Sequence, residues 1–410
     1  EQCYLTNAAI KEYAYRAKQR DAAFLVRLWC RTRDGSSLCI VVADAWSTSY
    51  RRLVRASESL VNSFAAAVQE ELLASAGSGM AEVCVVHRKT TNGFQAGPDG
   101  QAKRFAWLQM RVANWHLKEG LSKTLRAVER ERRCQVCSPT TAESKVQVHA
   151  ELLEALGLQP GGWVALSESA LARVQRPERL LVRLAVQVRT SELRPAETQD
   201  DVAPIRVLSW DIECYSPEHA FPMAGNADDV IIAIGVCEET LYGEARSASR
   251  VITLGRVGCS SEDGIAFIEC DTELELLRSF VHAVSASDAD VIVGYNTCGF
   301  DWRYIQQRVA LLSNGLSEAE RSELFRFGRT MAACAPEEQQ VGSSAMGDNP
   351  LCYPRTPGRF GIDLWFYLKR ENSPDLPNLK LNTVAVHYLG DAKMDLPAKQ
   401  MFREYEAGDA

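Results

Sequence analysis

The chain has 410 residues, 46% hydrophobic and 24% charged, an ordinary globular composition that excludes a largely disordered, collagen-like or small disulfide-stapled protein. Its net charge of −7 conceals an asymmetry: residues 1–200 carry 28 Lys and Arg against 21 Asp and Glu, whereas residues 201–410 carry 18 against 32. A basic half followed by an acidic half suggests two domains with different electrostatic work.

No stretch approaches the ~18 uninterrupted apolar residues that a membrane helix needs, so no membrane partner is expected. Glu1 to Ile10 show no secretory pattern, and a first residue other than Met is read as a missing native start. Thirteen cysteines, an odd number set singly among apolar neighbours (Cys84, Cys214, Cys237, Cys298), fit free thiols in a reducing, intracellular compartment better than a disulfide framework.

In chain order, strand-like runs occupy Ala23–Cys30, Leu38–Ala43, Ala81–Val86, Phe105–Val112 and Leu180–Arg189. Helical stretches are predicted at Tyr50–Ala74 and Asn114–Glu131, giving a mixed α+β pattern without an internal repeat. Asn92–Gly100 reads as a surface loop and Gln159–Trp163 as a tight turn. Thr190–Pro204, polar with two prolines, marks the expected boundary between domains 1–200 and 201–410.

The second half changes character. Ile205–Tyr215, Val230–Cys237 and Arg250–Val257 read as strands, and Asp271–Ser285 as a helix with Leu274, Leu277, Phe280, Val281 and Val284 on one stripe. Val291–Tyr295 is a further strand, followed by a helix from about Phe300 to Ser313. The expected class is therefore α/β and α+β, with a mixed sheet flanked by helices after residue 200. Residues 332–351 read as a long loop or hairpin, and regular structure resumes at Arg359–Arg370 and Leu381–Leu389.

The chemistry lies in Asp211-Ile-Glu213, set in an otherwise apolar strand. Side chains two apart on a strand share a face, so two like charges repel there unless a hard divalent cation such as Mg²⁺ or Mn²⁺ joins them. The alternative is that both carboxylates simply face solvent. Asp301 falls in the first turn of the helix after Val291–Tyr295, where it either stabilises the helix dipole or reaches the end of the sheet beside Asp211 and Glu213. Three such carboxylates could hold a two-metal site.

Val207–Tyr215 resembles the first exonuclease motif of family B DNA polymerases, and Gly294-Tyr295-Asn296-Thr-Cys-Gly-Phe300-Asp301 resembles their second. Gly358–Leu364 is similar to a segment that follows the second motif, and Leu379–Leu396 to the run leading into the third. Order and spacing agree across about 200 residues. The resemblance is to the delta-like members, cellular or of large DNA viruses, and over residues 1–200 it rests on the layout of a family N-terminal domain.

The resemblance implies an RNase H-like fold and 3′→5′ proofreading with a two-metal Mg²⁺ or Mn²⁺ cofactor. Asp211 and Glu213 would hold the metal that generates hydroxide, and Asp301 would help hold the second. Tyr295, Asn296 and Phe300 would lie at the single-stranded primer end, where aromatic faces stack on bases; read locally, Tyr295 and Phe300 also suit a core and Asn296 a turn. DNA and the remaining polymerase domains are the implied partners, with a sliding clamp and accessory subunits expected of the family. The implied location is nuclear, or the host nucleus or cytoplasm for a viral chain.

Tyr405-Glu-Ala-Gly-Asp409 has the spacing of the third motif, but Gly408-Asp409 reads better as the turn before that motif's helix, with Asp409 as its N-cap. No palm aspartates are present, so the sequence is expected to be an N-terminal portion with no DNA synthesis and little exonuclease activity of its own. The rival readings are a stand-alone exonuclease and a silent exonuclease-like docking domain. Cys134-Gln-Val-Cys137 lacks a second pair for zinc. Lys103, Arg104, Arg111, Lys118, Lys123, Arg126, Arg130, Arg132 and Arg133, interleaved with Trp107, Trp115 and His116, form either a phosphate-tracking stripe or a solvated face. Of the six histidines only His219 is near the Asp211–Glu213 pair, and it reads as loop.

Overall fold

The computed structural model describes residues 2–9, 24–54, 57–76, 80–89, 104–142, 147–196, 201–244, 247–256, 264–343, 347–371, 376–392 and 396–408. The loop expected at Asn92–Gly100, Lys103 of the basic stripe and Asp409 lie outside them. The chain divides into two compact units: Glu1–Cys30 with Leu38–Gln175 and Leu184–Asp201, and Arg31–Ser37 with Arg176–Arg183 and Val202–Ala410.

The first unit contains β1 (Gln2–Ala9), β2 (Phe24–Thr32), β3 (Ser37–Ala45), β4 (Ser47–Leu53), α1 (Glu58–Ala76), β5 (Ala81–Lys89), β6 (Arg104–Val112), α2 (Trp115–Glu131), β7 (Cys137–Ala142), α3 (Val148–Leu156), β8 (Trp163–Leu166), α4 (Glu168–Leu171), β9 (Leu184–Val188) and β10 (Leu193–Pro195). Its strands form a six-stranded sheet, β10-β8-β1-β2-β3-β9, and a four-stranded sheet, β5-β6-β4-β7. The Asn114 side chain caps α2 by accepting from Leu117 N at 2.9 Å. Leu117, Leu121, Leu125 and Val128 then bury one stripe and leave the basic residues on the outer face.

Two boundaries differ from expectation. Tyr50–Leu53 is strand rather than the start of a helix, because β4 pairs with β6 on one side and β7 on the other, and that pairing outweighs local propensity. Only Leu184–Val188 of the run expected at Leu180–Arg189 is strand, paired in parallel with β3, whereas Leu180 makes a single bridge to Thr330.

The second unit is built on β11 (Ile205–Tyr215), β12 (Val230–Leu241), β13 (Ser247–Leu254), β14 (Ile265–Cys270), α5 (Glu273–Ala286), β15 (Val291–Gly294), α6 (Asp301–Leu312), α7 (Glu318–Glu323), the hairpin β16–β17 (Pro336–Ser343 and Gly347–Pro354), β18 (Phe360–Asp363), α8 (Leu364–Glu371), α9 (Leu381–Leu389) and α10 (Ala398–Ala407). The sheet runs β14-β13-β12-β11-β15-β18. β12 runs antiparallel to its neighbours β11 and β13, whereas β14 pairs with β13, β15 with β11 and β18 with β15 in parallel. Strand β14 was not expected, since its six residues lie at a sheet edge and are mostly half-exposed, with no strong apolar alternation to betray them.

Trp210 of β11 is the keystone of this core. Its ring lies 4.5 Å from Trp302 of α6 and 4.9 Å from Phe280 of α5, and Phe327 closes the group at 4.9 Å from Trp302. The middle of α5 and the first turn of α6 are therefore fixed against the middle of β11. Among the described residues no helix is long and apolar enough to cross a membrane.

Candidate active site

Along β11 the side chains of Trp210, Ile212 and Cys214 are buried, and those between them, Asp211 and Glu213, are exposed on the other face. Register with β12 runs from Asp211↔Gly235 to Glu213↔Ala233 and then shifts at Cys214, a bulge directly after the second carboxylate. Such a bulge re-aims the strand beyond it.

Asp301 reaches this strand from the turn between β15 and α6. Two glycines are required for that turn. A Cβ on Gly294 would come within 2.3 Å of Thr297 Cγ2 and 3.1 Å of the Trp210 carbonyl, and a Cβ on Gly299 within 2.4 Å of Asn296 Oδ1. Asn296 itself holds φ at +62°, a left-handed position that Asn tolerates well. Its carbonyl accepts from Gly299 N at 2.9 Å and Phe300 N at 3.1 Å.

A residue from far along the chain ties the turn down. Asp363, at the end of β18, accepts from Asn296 N at 2.9 Å and Cys298 N at 2.9 Å, and from Trp365 N at 3.0 Å and Phe366 N at 3.3 Å. The second motif is thus held by a carboxylate that the sequence offers only as part of a similar segment. An Asp closing an apolar strand and opening a helix was the available signal.

Asp301 is 3% exposed. Burial, then the charge of Asp211, pushes its carboxyl up to about 8; Asp211 also shares a hydrogen bond with it, while the Ile212 N–H donates to it and pulls the other way. Burial likewise pushes the Cys214 thiol up, and the charges of Asp301 and Glu213 add to that. The structure therefore brings Asp301 against Asp211, with Glu213 on the same strand face. Among the described residues no three His, Cys, Asp or Glu side chains close around one point as a metal cage.

The donor set fits a hard cation. It consists of carboxylate oxygens, and the burial and neighbouring Asp211 charge that raise the Asp301 carboxyl are penalties that a divalent ion relieves. The other metal candidate, Cys134 and Cys137, gathers no third His, Cys, Asp or Glu ligand among the described residues; burial, then the charge of Glu129, raises the Cys137 thiol to about 12.

Of the residues expected at a DNA end, Asn296 is exposed, whereas Tyr295 is partly buried and donates its hydroxyl to the Leu379 carbonyl at 2.8 Å. Phe300 is half-buried, 5.4 Å from Tyr304 and 5.7 Å from Phe221. Phe221 is 71% exposed, a feature that sequence reading missed. Its loop, residues 216–229, is rigidly held. Buried Arg308 donates to Glu273 Oε2 at 2.6 Å and to the carbonyls of Ala224 at 3.2 Å, Asn226 at 2.5 Å and Ala227 at 3.2 Å. Asp229 accepts from Met223 N at 2.8 Å.

The loop also carries His219, which is not idle. His219 Nε2 and the Tyr215 hydroxyl share Glu406 Oε1 of α10 at 2.9 Å and 2.7 Å, and Phe402 sets its ring edge-on to both. Tyr405 packs 4.9 Å from Tyr215. Helix α10 ends on Gly408 in the left-handed conformation.

Three comparisons with known proteins identify the family. The family model for "DNA polymerase family B, exonuclease domain" matches residues 140–384. The DNA polymerase catalytic subunit of Tupaiid herpesvirus 1 is 30% identical over 97% of this chain and 32% of its own length. The DNA polymerase of Paramecium bursaria Chlorella virus NY2A is 30% identical over 65% of this chain and 28% of its own, and the DNA polymerase delta catalytic subunit of Candida albicans 34% over 48% and 18%. The chain thus spans a third or less of these relatives. In fold it is similar to the family B DNA polymerase of the archaeon Pyrobaculum calidifontis, with TM-score 0.60 and 19% identity over 99% of this chain and 42% of that one.

Proposed function

This chain belongs to DNA polymerase family B and contains that family's RNase H-like exonuclease domain, and on that premise we propose that Asp211, Glu213 and Asp301 form a 3′→5′ exonuclease site that trims single-stranded DNA ends. The observation that carries the reading is the placement of buried Asp301 against Asp211 on the strand face shared with Glu213.

Asp211, Glu213 and Asp301 would hold one or two Mg²⁺ or Mn²⁺ ions. Bound there, such ions supply the positive charge that activates water and stabilises the leaving oxygen of a phosphodiester. The protein's part is positional. Trp210 packs β11 against α6, so the carboxylates of the two elements keep their separation as substrate enters. The Ile212 N–H donates to Asp301 and fixes its carboxyl beside Asp211. Phe300 and Phe221 offer ring faces at the rim for unpaired bases, and exposed Asn296 offers an amide. No histidine base is needed.

For the longer enzyme implied by the relatives, we extend the proposal to template-directed DNA synthesis by further domains, to partnership with a sliding clamp and accessory subunits, and to action wherever replicating DNA lies, in the nucleus or, for a viral chain, the infected cell. Residues 1–200 are proposed as the family's N-terminal domain and 201–410 as the exonuclease domain.

The test is Mn²⁺ binding to the 410-residue chain, followed by paramagnetic resonance. Asp211→Asn and Asp301→Asn should each weaken binding at least tenfold while the chain still unfolds cooperatively. Equal Mn²⁺ affinity in all three proteins would refute the assignment.

A further inference from the structure

A second polar cluster lies in the same unit, away from the carboxylates of β11. Five charged residues are buried together around the start of β15: Arg31, Arg329 and Arg359 with Asp288 and Asp290. Arg31 and Arg329 are fully buried and Arg359 is 3% exposed. Three fully or almost fully buried guanidinium groups face two carboxylates, one positive charge in excess; a fourth, Arg206, lies 3.9 Å from Asp288 but is a quarter exposed, so water screens its charge. An uncompensated buried charge is among the costliest features a fold can carry.

The carboxylates are already committed. Asp290 accepts from Arg31 Nε at 2.8 Å, from Arg329 Nη2 at 2.9 Å and from the Arg206 N–H at 3.0 Å. Asp288 accepts from Arg31 Nη1 at 2.8 Å and from Arg329 Nη2 at 3.1 Å. Arg31 is thereby satisfied. The other two arginines are not. Nε and Nη1 of Arg329, and Nε and Nη2 of Arg359, are buried with no acceptor among the described residues. The hydroxyl of Thr330, next in the chain, is in the same state.

The two guanidinium groups that carry unmet donors are neighbours. Arg359 Nη1 and Arg329 Nη2 donate to one acceptor, the Ala289 carbonyl, at 2.6 Å and 3.3 Å, distances that together cap the separation of the two nitrogens at about 6 Å. Two like charges held so close inside a protein repel, and Arg359 is accordingly held down to about 9 by burial and by Arg329. Arginine does not surrender its proton readily, so the site is better neutralised by gaining an anion than by losing a proton.

We propose that Arg329 and Arg359 bind a small monovalent anion of the chloride class, which balances the excess charge of the buried cluster. One excess charge calls for a monovalent ion. The near-complete burial of both side chains calls for a small one. Because Phe360 N donates to the Asp290 carbonyl at 2.7 Å, the anion also secures the junction of β15 and β18, the two strands that end at the Asn296–Asp363 contact.

The test is the urea-unfolding midpoint of the 410-residue chain in sodium chloride and in sodium gluconate at equal ionic strength. Chloride, and bromide equally, should raise the midpoint saturably; at ten times its dissociation constant it multiplies the folded-to-unfolded ratio by about 11. Arg359→Met, which leaves two positive and two negative charges, should fold in gluconate and lose the halide dependence. Crystals soaked in bromide should show anomalous density between Arg329 and Arg359. Identical midpoints in the two salts, halide dependence unchanged in Arg359→Met, or no bromide density at this position would each overturn the proposal.

Discussion

Replacing Asp363 by Asn changes one atom of a side chain that never touches substrate in the proposed reading, yet it should weaken the metal site. Oδ1 accepts from the N–H groups of Asn296, Trp365 and Phe366, and Oδ2 from that of Cys298 at 2.9 Å. In Asp363→Asn the amide oxygen can keep the first three, but the NH₂ then faces the Cys298 N–H, donor against donor. A hydrogen bond to a charged group contributes about 1.5–3 kcal/mol, and an unmet donor adds a desolvation cost of similar size. With the site half-open to water, a net loss of about 2–3 kcal/mol is expected, within the ~5–15 kcal/mol by which domains are stable. The chain should therefore stay folded. The turn, however, holds Asn296 at φ +62°, and a freed turn relaxes and lets Asp301 drift from Asp211. Losing such an outer contact typically lowers metal affinity by about 10–100-fold. Parallel Mn²⁺ titration and urea unfolding read the two effects separately. Mn²⁺ affinity within twofold of the parent, alongside the expected stability loss, would refute the claim that Asp363 positions the site.

Arg308→Met should cost about 3–5 kcal/mol in urea unfolding, because it strands the buried carboxylate of Glu273, and adding Glu273→Gln should recover part of that loss. Phe221→Ala should leave stability within about 0.5 kcal/mol, since the ring is 71% exposed. The same change should weaken binding of a single-stranded oligonucleotide by the ~1–3 kcal/mol of one stacked base, measured by fluorescence anisotropy in EDTA against an unchanged duplex control. Burial alone would raise the Asp288 carboxyl, but Arg329 and Arg31 outweigh it and hold it below its usual range. A depressed carboxylate stabilises the fold above its unfolded value of about 3.9 and loses that contribution as pH falls through the lower folded value. Urea midpoints taken from about pH 5 down to pH 3 should fall in the parent and fall less steeply in Asp288→Asn.

Much of the second unit was legible in sequence because its strands are long and apolar and its helices carry one buried stripe. Ile205–Tyr215 and the stripe through Phe280 are cases where local pattern and tertiary need coincide. Strand β14 and the Tyr50–Leu53 end of β4 are the opposite case. Ser-Thr-Ser-Tyr-Arg-Arg-Leu has no apolar alternation to read, and it becomes strand only because β6 and β7 flank it. Such information resides in the partners.

The site divides along the same line. Asp211, Glu213 and Asp301 were visible because the first two interrupt an otherwise apolar strand and the third follows a second apolar strand at the start of a helix. The residues that hold them were not visible, because each is ordinary in its own segment and acquires its role through a contact more than 30 residues distant. Asp363 is an unremarkable helix start until it meets the amides of Asn296 and Cys298. Arg308 is one more charge on an amphipathic helix until it fills the loop behind Phe221. His219 has a positive φ and a loop sequence, and only helix α10 supplies the carboxylate that engages it. A chemical group announces itself by what it costs to place it, whereas a supporting group costs little where it stands and is revealed by what it touches. The second kind therefore has to be sought in geometry, and the prediction for Asp363 tests a residue of that kind, where a failure would leave the carboxylates of β11 untouched.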